Sequence, residues 1–166
     1  MNVAAETSGR WRRILGSLTL AVLLEQLPWS GLAMVLRPDF VLVALLFWVL
    51  HQPQRVGFGT AFFLGLIADF QDGAALGQHG IAYVVGAYLV LYLRLRLLQF
   101  DPFRQAAQLF PILLAVQLIV LLGGWLAVNP PAGLAILMPV LGSTLLWYLS
   151  ALVLRLWHGK GAQDSH

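Results

Sequence analysis

The sequence predicts an all-α membrane protein, a compact bundle of six transmembrane helices. Three observations carry that expectation. The 166 residues are 60% hydrophobic and only 10% charged, with a mean hydropathy of +0.81, whereas an ordinary soluble domain is roughly half apolar and a quarter charged. The apolar runs follow one another too closely for an extramembrane domain to fit between them, so everything outside lipid is loop or tail. The basic residues stand at the ends of apolar runs, which suits orientation in a membrane better than nucleic-acid binding, although the net charge is +3 and the pI near 9.8. The absence of cysteine excludes disulfides, thiolate metal sites and thiol nucleophiles.

Turn signals divide the chain into six apolar runs, at residues 12–27, 39–51, 56–70, 77–97, 104–128 and 133–157. The first follows Arg10, Arg12 and Arg13, and Glu25 and Pro28 stand where a signal peptide would carry small residues for cleavage, so it is expected to be a retained helix. Residues 29–36, between Pro28 and Pro38, form an apolar segment expected to lie near the outer surface. The second and third runs are short. At about 1.5 Å per residue, 13 to 15 residues span only about two-thirds of a hydrocarbon core about 30 Å thick. They are nonetheless expected to cross, with flanking polar groups snorkelling and the bilayer thinning locally. Asp101 and Pro102 are expected to cap and open the fifth helix, and Asn129-Pro130-Pro131 to break the chain before the sixth. Pro111 and Pro139 fall inside helices, where kinks rather than breaks are expected because neighbours re-satisfy the freed carbonyls.

Six passes with the N-terminus inside put Arg10, Arg12, Arg13, Arg55, Arg94, Arg96, Arg104, Arg155 and Lys160 on the cytoplasmic side and Arg37 alone outside, nine of ten basic residues. Trp11, Trp48 and Trp157 then fall at the inner boundary and Trp29 and Trp125 at the outer, with Trp147 deeper. The expected organisation is a cytoplasmic tail at 1–11, a transmembrane domain at 12–157 and a second cytoplasmic tail at 158–166.

The third run is the most patterned. Gly57, Ala61, Gly65 and Asp69 recur every four residues along one face, a packing signal in lipid because small residues let backbones approach closely. Asp69 should therefore point into the bundle. Its structural reading is a helix-terminal aspartate bonded to the turn at Gly73, set against the general suspicion that intramembrane carboxylates are functional. Asp72 is expected to be wet. Pro38 suits a first helical turn and Asp39 the positive helix end. Arg37 lies close in depth to Asp69, so an Arg37–Asp69 ion pair is expected, with charge exchange rescuing the single variants. Glu25 reads as interfacial. Gln117, Ser143, Thr144 and Ser150 are expected to act as interhelical hydrogen-bond glue. The histidines His51, His79, His158 and His166 form no i, i+4 metal pair. Gly57-Phe58-Gly59 lacks the context of a dinucleotide loop, and no Ser-His-Asp set shares one depth. No catalytic residue, metal ligand or cofactor is expected.

Arg37-Pro38-Asp39 opening an apolar helix that ends in Trp48-Val49-Leu50, followed by Arg55-Val56-Gly57, Gly65-Leu66-Ile67-Ala68-Asp69 and Leu76-Gly77-Gln78-His79, resembles the rod shape-determining protein MreD family, over about residues 11–157. The resemblance implies a non-catalytic bacterial inner-membrane scaffold of the cell-elongation machinery. It implies association with an MreC-like bitopic protein and, through it, with MreB, RodA and a penicillin-binding transpeptidase. A partner helix is expected on an outward-facing patch, for which Gly80, Tyr83 and Ala87 are candidates. The family is also similar in fold to the substrate-binding components of energy-coupling-type vitamin transporters. That likeness gives the rival expectation of a small-molecule-binding transporter component, with an outer cavity lined by Arg37, Asp69, Gln78 and His79.

Overall fold

The computed structural model describes residues 3–31, 36–126 and 138–161, with side chains described over 9–31, 36–126 and 138–153. Within them the chain is helical, without strands: α1 (Val3–Glu25), α2 (Phe40–His51), α3 (Phe58–Asp72), α4 (Gln78–Tyr92), the single turn α5 (Arg94–Leu97), α6 (Pro102–Leu126) and α7 (Met138–Gly161). The expected break at Asn129-Pro130-Pro131 and the start of the sixth run at 133 lie outside the described residues.

Helix and apolar run differ where polar residues continue a helix. The first helix begins by Val3, not near residue 12, so the expected tail at 1–11 is mostly helical. Ala4, Ala5 and Glu6 are good helix formers and nothing there breaks the ladder. Hydrophobicity marks where a helix meets lipid, whereas propensity and breakers mark where it begins. The last helix likewise runs to Gly161. The fourth run divides at Leu93, whose φ of −91° and ψ of 4° leave the helical region. That turn frees Arg94 to donate from Nε to the Leu50 carbonyl at 2.8 Å, satisfying an orphan acceptor at the end of α2. Pro38 lies before α2 rather than in its first turn. Asp39 is the N-cap, accepting from the Leu42 amide at 2.7 Å. Pro102 is the first residue of α6, as expected, and α6 passes Pro111 unbroken.

The helices α2 and α4 form the centre, since their small and branched side chains contact neighbours on several sides. Leu45, Leu46, Val49 and Leu50 of α2 and Ala82, Ala87 and Val90 of α4 are all fully buried. Around them α1 packs on α2, α3 on α4, α6 on α4 and α7 on α6. The α3–α4 hairpin is the closest pairing. A Cβ added to Gly65 would lie 2.5 Å from the Gly80 backbone, so the two chains touch where neither has a side chain. Ala61 continues that seam, fully buried. Gly57 does not, because it is the N-cap of α3 with open space around it.

The outer surface is apolar. Phe63, Phe70, Leu95, Trp125 and Leu126 are each more than 60% exposed, and a continuous apolar exterior marks a surface covered by something other than water. Among the described residues, by length and composition α6 alone suffices to cross a bilayer, and α2 and the Met138–Val153 part of α7 are apolar but shorter.

Candidate functional site

Apolar helices confine polar chemistry to their ends, and the two ends of this bundle differ. At one, Arg10, Arg55, Arg94 and His51 border a common cleft. At the other stand Glu25, Arg37, Asp39, Asp69, Asp72, Gln78 and His79; the exposed Asp72 lies 3.8 Å from His79 Nε2, and the others take the hydrogen bonds that follow. This acidic end is the candidate site.

Its anchor is Asp69, 1% exposed. Gly73, in the left-handed region at φ 63°, ends α3, and the amides of Gly73 and Ala74 both turn back to the Asp69 carbonyl. The carboxylate is thereby left for the next helix. Its Oδ2 accepts from the Gly77 amide at 2.7 Å, and its Oδ1 accepts from the His79 amide at 2.8 Å. His79 Nδ1 lies 2.9 Å from the same Oδ1. A residue of α3 therefore supplies the side-chain cap that α4 lacks at its own N-terminus, where Gly77 has φ 94°. The Gly65–Gly80 approach brings the two helices close enough for this reach. The expected turn bond at Gly73 is present, but it is made by the Asp69 main chain while the side chain caps α4.

A second carboxylate repeats the arrangement. Asp39 caps α2 with Oδ1 and takes the Tyr83 hydroxyl on Oδ2 at 2.7 Å, while its own amide donates to Ser143 Oγ at 2.9 Å. The Leu36–Asp39 segment is seated on α7, where any Cβ at Gly142 would collide with the Leu36 carbonyl. The rings of Tyr83 and His79 meet edge to face with centroids 5.9 Å apart, which links the two carboxylate sites. Replacing Tyr83 by Phe strands Asp39 Oδ2 without altering packing. The expected loss is about 2 kcal/mol, read as a lower unfolding midpoint in detergent.

Arg37 pairs with Glu25, not with Asp69. Its Nη2 donates to the Glu25 carbonyl at 2.7 Å and lies 3.3 Å from Glu25 Oε1, while Glu25 Oε2 accepts from the Val41 amide at 3.3 Å. Glu25 is thus part of the network. Gln78 lies across Gly123, where a Cβ would sit 2.7 Å from its Cγ, and donates from Nε2 to the Val120 carbonyl of α6 at 2.7 Å. Arg37, Asp69, Gln78 and His79, expected to line an outer cavity, each hold a protein partner. Gly80, Tyr83 and Ala87 are all buried and do not form the expected outward-facing patch. The spacing that marks them as one face is the spacing of a core face in a central helix.

Among the neutral polar residues, Ser143 joins elements, whereas Thr144 and Ser150 donate back to Val140 and Trp147 in their own helix. A second buried link lay beyond the sequence reading. Gln105 donates to the Leu97 carbonyl at 3.0 Å and accepts from Trp147 Nε1 at 3.2 Å, joining α5, α6 and α7. No spacing advertises it, since Gln105 follows Arg104 in what looks like a solvated first turn. Among the described residues no three His, Cys, Asp or Glu side chains converge on a metal position.

A helical bundle with an apolar exterior, whose buried carboxylates cap its own helices and tie one end together, has the build of a membrane protein. The family model described as rod shape-determining protein MreD matches residues 6–158, and the chain belongs to that family. A curated relative, the rod shape-determining protein MreD of Haemophilus influenzae, is 36% identical over 89 residues, covering 52% of this chain and 55% of the relative. The chain thus matches about half the length of that relative. No solved structure matches it, so the likeness to vitamin-transporter components rests on the sequence resemblance.

Proposed function

We propose that the protein is a non-catalytic inner-membrane scaffold of the rod-shape machinery, which holds the transmembrane helix of an MreC-like bitopic protein and, through it, helps position MreB, RodA and a penicillin-binding transpeptidase. The family match over residues 6–158 carries this reading. The acidic-end network supports it, because carboxylates committed to capping α2 and α4 stiffen the bundle. With Gly80, Tyr83 and Ala87 inside, a partner helix would dock on the lipid-facing exterior.

Six membrane crossings with both termini cytoplasmic are part of the proposal. The gathering of Arg10, Arg55 and Arg94 around one cleft, at the end opposite Arg37 and Asp69, supports this orientation by the positive-inside rule. The short α3 and α4, 15 residues each, would cross where the bilayer thins around them.

Affinity purification of the tagged chain from native membranes is expected to bring down an MreC-like bitopic protein in near-stoichiometric amount. Recovery of transporter energising subunits with a tightly held small molecule would instead favour a transporter component and overturn the scaffold.

A further inference from the structure

The helix α6 has two faces of different character. Leu109, Leu113, Val116 and Val120 are buried against the bundle. A second stripe, Phe103, Ala107, Phe110, Leu114, Gln117 and Leu121, recurs at alternating steps of four and three, the spacing of a seam along which one helix packs on another. Phe103 and Phe110 are 73% and 37% exposed. With Ala107 of the same stripe they line a groove of about 610 Å³, whose far wall is Leu141, Leu145 and Tyr148 of α7. Phe103 and Tyr148 meet edge to face at one end of it, with centroids 6.4 Å apart. Gln117 stands seven residues beyond Phe110, about two turns further along the stripe. It is partly exposed, and its carboxamide has no hydrogen-bond partner among the described residues. The interhelical bond expected of Gln117 is therefore not made among them.

A carboxamide inside a membrane span has no water to bond, and such groups are satisfied across helix interfaces. We infer that the groove between α6 and α7 seats the single transmembrane helix of a partner protein, whose side chain opposite Gln117 is itself a hydrogen-bonding group. An acyl chain fills apolar space but offers Gln117 neither donor nor acceptor. A second copy of this chain fits badly, because a two-fold interface sets one surface against itself and two facing grooves leave a void. A helix fills the groove, and its own side chains at steps of three and four mesh with the α6 seam as knobs into holes. One polar residue in an apolar seam also fixes register and partner choice. The inference deepens the scaffold reading, on which it rests for the existence of a bitopic partner, and gives that partner a place on the bundle.

The chain has no cysteine, so single cysteines report contacts without background. The test co-expresses the full chain, carrying Phe110→Cys or Leu145→Cys, with the full-length MreC-like bitopic protein carrying one cysteine at successive positions of its transmembrane helix. Oxidation in native membranes is expected to join both groove positions to partner positions spaced three and four apart. Phe63→Cys on α3, which is 64% exposed, should give no such product. Gln117→Leu should lower the amount of co-purified partner by roughly 10-fold, the size of one interhelical hydrogen bond. Its membrane abundance and unfolding midpoint should stay unchanged, since no bond within the described chain is lost. Ala107→Phe, which fills the groove floor, is the second variant and should weaken co-purification in the same way. Partner disulfides at Phe63→Cys but not in the groove overturn this surface and leave the scaffold standing. Disulfides between two copies at Phe110→Cys, or undiminished co-purification with folded Gln117→Leu and Ala107→Phe, also overturn it. Failure of the wild-type chain to retain any bitopic partner removes the scaffold reading and this inference together.

Discussion

Gly65→Ala is expected to remove most of the folded protein from the membrane fraction. The new Cβ would lie 2.5 Å from Gly80 Cα and N and 2.6 Å from the His79 carbonyl carbon. All three are backbone atoms, so no side-chain rotation relieves the overlap and α3 must move away from α4. Overpacking of this kind costs about 3 kcal/mol or more. Separation also withdraws Asp69 from the amides it caps, so the loss spreads to the acidic end. Gly59→Ala is the control. It lies in the same helix with nothing within 4 Å of the added methyl, and Ala is the better helix former by roughly 0.5–1 kcal/mol. Abundance in the membrane fraction and the unfolding midpoint in detergent should both separate the two variants. Equal behaviour would show that the hairpin is not packed as described.

Asp69→Ala should be nearly as severe, by a different route. The substitution leaves the Gly77 and His79 amides and the His79 imidazole without the acceptor that now serves them. Stranded buried donors cost about 1–3 kcal/mol each, so about 3–5 kcal/mol is expected for the set. Asp69→Asn should fall between, since its carbonyl oxygen can serve one amide while its NH2 faces the other donor. Exchanging the charges of Arg37 and Asp69 is expected to give no rescue, because Arg37 answers to Glu25. Recovery in the exchanged variant, measured as membrane-fraction abundance against the two single variants, would restore the discarded ion pair.

The approximate positions of the helices were legible because each reflects a local rule. Asp39 before an apolar run signals a cap, Asp101-Pro102 a first turn, and Gly73 a helix end, and the structure has all three. The same rules misled where local composition and local conformation part. Residues 3–11 look like a tail because they are polar, yet polarity does not oppose a helix. Residues 77–97 look like one span because they are apolar, yet the chain turns at Leu93. In the stripe of the third run Ala61, Gly65 and Asp69 are buried while Gly57 has open space around it, since periodicity cannot tell where the neighbouring helix stops.

The sequence by itself determined that the chain is a membrane helix bundle of the rod shape-determining protein MreD family, that small residues on α3 face a neighbour, and that Asp69 points inward. These follow from composition, motif order and a period of about four residues, which are properties of one segment at a time. Only the tertiary structure decided which partner each polar group takes: Asp69 with the start of α4, Arg37 with Glu25, Asp39 with Tyr83, and Gln105 with Trp147. It also turned the Gly80, Tyr83 and Ala87 face inward. Two of these pairings join residues more than 40 positions apart, and what selects them is the packing of one helix on another, which no local pattern records.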